Sequence, residues 1–82
     1  MQDFKERVNE LTVEFIRQDK EEKGITNHAL AEAMDISDEV TCRYLTGSIK
    51  MPMWFVVAYF NYIHADASTI MRYYGLVSEV TL

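Results

Sequence analysis

An all-α domain is the fold the sequence predicts, on three observations. Apolar residues recur at helical spacing, capping and turn-forming residues punctuate the chain at short intervals, and nothing alternates with period two for long. Phe4, Val8, Leu11, Phe15 and Ile16 follow one another at spacings of four, three, four and one, which puts them on one stripe of a first helix over residues 3 to about 22. Its other face carries Lys5, Glu6, Arg7, Glu14 and Arg17. Gly24 supplies the positive φ that ends this helix, and Thr26 caps a second one from Asn27 to Met34 that buries Leu30, Ala31 and Met34. Asp35 tolerates a left-handed turn, Ile36 plugs the core, and Ser37 caps a third helix ending at Gly47. Pro52, suited to a first helical position, opens a fourth. Asp66 caps a fifth through Ile70, Met71 and Tyr74, which Gly75 stops. Only the last residues, where Ser78, Val80 and Leu82 fall on one side, suit a short C-terminal extended tail.

Length and charge bound what such a domain can do. The 82 residues make a single domain with one small core and no room for a large substrate cleft. A net charge of −5 argues against indiscriminate nucleic-acid binding, because affinity for DNA rests largely on Lys and Arg replacing counterions along the phosphates. It leaves a local basic face open. The single cysteine, Cys42, forbids an internal disulfide and suits a reducing, cytoplasmic setting. The opening MQDFKERVNEL is polar and charged, so no export signal is expected there. The most apolar stretch, Met51 to Ile63, is interrupted by Pro52 and Asn61 and falls short of the ~20 residues of a membrane helix.

Residues 26–47, TNHALAEAMDISDEVTCRYLTG, carry a more specific signal. Thr26, Leu30, Ala31, Ile36, Ser37, Arg43 and Gly47 occupy positions where the helix-turn-helix of the lambda-repressor-like (phage repressor and Cro) family has those residues or close equivalents, and the segment resembles that motif without a gap. GSIKMP is similar to the basic loop after the recognition helix, and ADASTIM to the capped fifth helix. Two positions depart: Asp35 replaces the frequent glycine of the turn, and Thr41 stands where an apolar residue usually packs. The resemblance implies a compact five-helix domain that binds an operator in double-stranded DNA as a dimer, a small phage-type or mobile-element repressor. Carried over position by position, it makes Asp38, Glu39 and Arg43 base-facing, and Asn27, Thr46, Ser48 and Lys50 phosphate-facing. Lys20 and Lys23 fall near the edge of that face.

Simpler readings stand beside these. Asp38 and Glu39 lie in a first helical turn, where negative side chains offset the helix dipole by ~0.3–1 kcal/mol without any ligand. Glu39 and Arg43 are four apart in the favourable order for an intrahelical pair. Cys42 reads as a small packed or half-buried residue, and His28 and His64 as surface residues with no metal-ligand cluster around either. Asp19, Glu21 and Glu22 read as a solvated helix end. No phosphate loop, catalytic grouping or cofactor motif is present, so an enzyme is not expected.

Large apolar side chains exceed what one small core absorbs. Trp54, Phe55 and Tyr59, with Tyr73, Tyr74, Leu76, Val77 and Val80, are therefore the expected homodimer interface. The alternative outlet is a different protein. On that reading the helix-turn-helix is a scaffold, an antirepressor or phage-encoded inhibitor, with Asp38 and Glu39 facing a basic partner.

Overall fold

The computed structural model describes residues 3–79. They form five α-helices, α1 (Phe4–Glu22), α2 (Asn27–Met34), α3 (Asp38–Thr46), α4 (Met53–Tyr62) and α5 (Ala67–Ser78), with no strand among the described residues. Four of the helix starts are fixed by a side-chain cap. Asp3 accepts from the Glu6 amide at 2.8 Å, Thr26 from Ala29 at 3.0 Å, Ser37 from Val40 at 3.1 Å and Asp66 from Thr69 at 2.8 Å. Each cap satisfies a donor that the helix itself cannot, a contribution of ~1 kcal/mol. Pro52 sits one residue outside α4, extended, and its carbonyl accepts from Phe55 and Val56.

α1 is the spine. It packs on α3 and α5, while α2 packs on α3 and α4. The core joins Val13 and Ile16 of α1 to Leu30, Leu45, Met51, Phe55, Val56 and Tyr59, with Ile36 packed partly buried against them. Thr41, in a slot suited to an apolar side chain, is fully buried because its hydroxyl donates to the Ser37 carbonyl one turn back. Phe4, first in the apolar stripe of α1, stays exposed.

Three expectations are corrected here. Gly75 does not stop the fifth helix, which runs on to Ser78. The continuation half-buries Leu76 beside α1, where it lines shallow depressions with Phe15 and Leu11, and the helix runs through the ~1 kcal/mol a helical glycine costs. Ser78 is therefore helical and not part of an extended tail, and Val80 and Leu82 lie outside the described residues. Asp19 is not part of a solvated helix end. It is buried, accepts a hydrogen bond from the Tyr59 hydroxyl and pairs with Lys23 at 2.6 Å. Burial, then the bond to Asp19, drives the Tyr59 phenol well above its ordinary range, so it stays protonated and donates at any physiological pH.

Tyr59→Phe keeps the ring but leaves a buried carboxylate short of one donor. The expected loss of stability is about 1–3 kcal/mol, seen as a lower urea midpoint at unchanged slope. An unmoved midpoint would remove the Tyr59–Asp19 bond from the account of the fold.

Candidate nucleic-acid interface

The turn between α2 and α3 is three residues long. Asp35 takes the left-handed conformation at φ 56°, Ile36 turns inward, and Ser37 begins α3. α3 then rests on α1 and α2 through its inner residues, Thr41 and Leu45. At about 100° per residue the opposite side aligns Asp38, Cys42 and Thr46, with Glu39 and Arg43 alongside, and all five are exposed. The chain leaves α3 through Gly47 at φ 80°, a conformation that favours glycine. Ser48 and Lys50 follow, both exposed, and the Thr46 and Ser48 hydroxyls are 2.9 Å apart.

Six of the seven residues expected to face DNA are thus brought together on one exposed surface: Asp38, Glu39, Arg43, Thr46, Ser48 and Lys50. Asn27 is the exception. It is half-buried, and its Oδ1 is enclosed without a hydrogen-bond partner. Lys20 and Lys23 are tied to their own chain, Lys20 to the Ile25 carbonyl at 3.3 Å and Lys23 to Asp19. Cys42, which by residue type reads as packed or half-buried, is exposed in the middle of the stripe. Its place, four residues after Asp38 and four before Thr46, was the signal that could have assigned it there.

Charge on this surface is paired locally. Arg43 Nη2 lies 2.7 Å from Glu39 Oε1, the intrahelical pair the spacing predicts. His28, at the start of α2, places Nδ1 3.1 Å from both carboxylate oxygens of Asp38 and Nε2 3.5 Å from Glu32. The hydrogen bond to Asp38, then the charges of Asp38 and Glu32, raise the His28 pKa above the ordinary imidazole value. Between residues 27 and 50 the carboxylates Glu32, Asp35, Asp38 and Glu39 face only Arg43 and Lys50 as permanent cations. An open groove between α1 and the end of α3 adds Glu10, Glu14 and Glu21 against Arg17.

The expected dimer interface divides. Phe55 and Tyr59 are 0% exposed, so they belong to the domain's own core and cannot reach a second copy. Tyr73 is half-buried, its hydroxyl 2.8 Å from Thr12 and its ring against Phe15 and Phe60. Leu76 and Val77 are half-buried, Trp54 and Tyr74 are exposed, and Val80 lies outside the described residues. The surplus of apolar side chains is therefore real but sits elsewhere, on Met53, Val57, Tyr62, Ile70 and Met71 as well as Trp54 and Tyr74. Sequence spacing could not separate these from Phe55 and Tyr59, because α4 is apolar on nearly every side.

Among the described residues no group of three His, Cys, Asp or Glu side chains is placed to hold a metal ion, and no helix is long and apolar enough to cross a membrane. Comparison with known proteins gives no match, either to a family model, to a curated sequence or to a solved structure.

The His28 clasp carries a pH dependence whose sign is fixed. A raised folded-state pKa contributes stability that is fully present below the ordinary value near 6.5 and is lost as pH rises through the folded value. Following the imidazole Hε1 resonance against pH should give a His28 midpoint above 6.5 that falls in Asp38→Asn. A midpoint unaffected by that change would mean the two side chains do not meet in solution.

Proposed function

We propose that the chain is a lambda-repressor-like helix-turn-helix domain that reads a specific operator in double-stranded DNA as a dimer and regulates transcription. The observation that carries this reading is the exposure of one continuous stripe of α3, Asp38, Cys42 and Thr46 flanked by Glu39 and Arg43, directly after a three-residue turn. A helix held this way, braced from behind and open in front, has the form that enters a major groove. Arg43 is the principal base reader, its guanidinium able to donate two hydrogen bonds to a guanine edge. Cys42 behaves as a small hydrophobe and suits the methyl group of a thymine. Thr46, Ser48 and Lys50 grip phosphates.

Arg43 must leave Glu39 to do this, and the magnitudes permit it. An exposed intrahelical pair contributes about 0.3–0.5 kcal/mol, against ~1–3 kcal/mol for a bidentate contact to guanine. Asp38 is partly neutralised by His28 when that imidazole is protonated. The acidity then has a use: weak hold on random DNA widens the margin for the cognate site.

One observation favours a second reading. Four carboxylates stand against two cations over residues 27–50, and one of those cations is already paired, so the same surface also suits a basic protein. Charge neutralisation separates the two. In an electrophoretic retention assay against operator libraries, Asp38→Asn with Glu39→Gln should tighten DNA association. Arg43→Ala should weaken the cognate site by about 1–3 kcal/mol and relax one base position, and Lys50→Ala should weaken all sequences alike. If the neutralised variant gains no affinity for any duplex and Arg43→Ala changes nothing, α3 does not read DNA.

A further inference from the structure

We infer that the outer face of α4 is a self-association surface whose occupant is a second copy of this chain. This deepens the operator-binding proposal, on which its purpose rests, while its geometry does not depend on it. Tyr59 and Phe55 turn inward, so the helix presents Trp54, Val57, Ala58 and Asn61 on the opposite side, with Met53 and Tyr62 at its edges. Met53 is 70% exposed, Val57 50%, Trp54 48% and Tyr62 41%. Ala33 and Met34 of α2 extend the surface as a shoulder beside Trp54, Ala58 and Tyr62.

Charge selects the occupant. From Met51 to Ala65 the chain contains no Asp, Glu, Lys or Arg. In a protein of net charge −5, this is a face on which two copies can meet without opposing like charges, whereas a charged partner finds nothing here to pair with. The side chains also suit a two-fold contact. Ala58 lets two helices approach closely, Val57 and Trp54 supply apolar area, and Asn61, one heptad after Trp54, can pair across the axis and set the register. Trp54 is ordered before association, its ring edge-on to Tyr44 at 6.1 Å and to Phe55 at 5.9 Å. A pre-positioned aromatic of this kind anchors an interface at low entropic cost.

The area is small. With an aromatic side chain covering about 150–250 Å², the exposed parts of this face offer roughly 400–600 Å² per copy, the small end of specific interfaces. An interface of this size is expected to form reversibly and to separate on dilution. α5 also exposes Ile70, Met71 and Tyr74, with the Asp66 carboxylate capping its start, while Arg72 lies on the other side of that helix, over the Phe15 ring at 5.6 Å.

Trp54 is the chain's single tryptophan, so it reports on the proposed contact directly. Sedimentation and fluorescence of the unaltered chain, without DNA, should show the mass falling from about twice 9.6 kDa to 9.6 kDa on dilution. Trp54 emission should shift to longer wavelength along the same curve. Val57→Lys should be monomeric throughout with unchanged helical circular dichroism, and Tyr74→Lys should associate as the unaltered chain does. A chain monomeric at every concentration would overturn the inference and leave the face to a different protein. So would a mass transition that leaves Trp54 emission still, or one abolished by Tyr74→Lys. Should Val57→Lys fail to fold, the dilution curve of the unaltered chain decides. None of these readings involves Arg43 or a duplex, so they stand or fall separately from the operator assignment.

Discussion

Complete burial of the Tyr59 side chain is the constraint on which the rest of the arrangement depends. A phenol hydroxyl withdrawn from water needs an acceptor, and an acceptor that is itself a buried carboxylate needs a counter-charge. Asp19 provides the first and Lys23, four residues on at the C-cap of α1, the second. Tyr59 and Phe55 lie one turn apart, so fixing both sets the rotation of α4 about its own axis. That rotation brings Trp54 and Phe55 against Tyr44, at 6.1 and 5.1 Å between ring centroids, and braces α3 from its inner side. The outer face of α4 follows from one satisfied hydroxyl in the core, while the outer stripe of α3 is set by Thr41 and Leu45 turned inward against α1 and α2.

Electrostatics on α3 follow a different logic, because nothing there is buried enough to force a pairing. Asp38 and Glu39 are explained first by their place in a helical turn whose amides favour negative charge. Each then acquires a hydrogen-bonding neighbour at low cost, His28 across the turn, cationic when its imidazole is protonated, and Arg43 along the helix. Such exposed contacts are weak and screened by salt, so they bias the side chains without locking them. The surface is best described as poised: Glu39 is matched by Arg43, Asp38 by His28 when the imidazole is protonated, the surroundings are acidic, and Lys50 is exposed beyond the helix. A ligand that offers Arg43 a better acceptor displaces Glu39 easily, and one that offers cations finds Glu39 available.

Local signals made most of the fold legible in the sequence. Thr26, Ser37 and Asp66 act as caps because an N-cap depends on one side chain and one amide three residues on, and Asp35 and Gly47 take the left-handed conformations their positions require. What local signals could not reach were the contacts between elements. Gly75 reads as a terminator until Leu76 is seen against α1, and Asp19 reads as solvated until Tyr59 arrives from forty residues away. Cys42 was misplaced for the opposite reason: its residue type suggests burial, while the periodicity set by Thr41 and Leu45 turns it outward. Six of the seven expected DNA-facing positions came together because they follow the rotation of a single short helix and its exit loop. The expected dimer residues scattered because an apolar helix does not reveal from composition which side is already taken.

Under the operator reading, the small number of cations near α3 is the reason a second copy would be required. One domain then offers Arg43 to a base and Lys50 to a phosphate, and a contact set of that size releases few counterions. A monomer would hold even its cognate half-site weakly. Joining two such readers makes the second engagement intramolecular, which can raise overall affinity by about 10²–10⁴ without a new DNA contact, provided the geometry allows both to bind. The gain applies chiefly where both half-sites are correct, so it adds discrimination as well as strength. A weak, uncharged contact on α4 is adequate for this, because DNA that holds both copies raises their local concentration and completes what the interface alone leaves reversible. Strong self-association would fix the pair in advance, whereas a weak one makes occupancy of the operator depend steeply on how much of the protein is present.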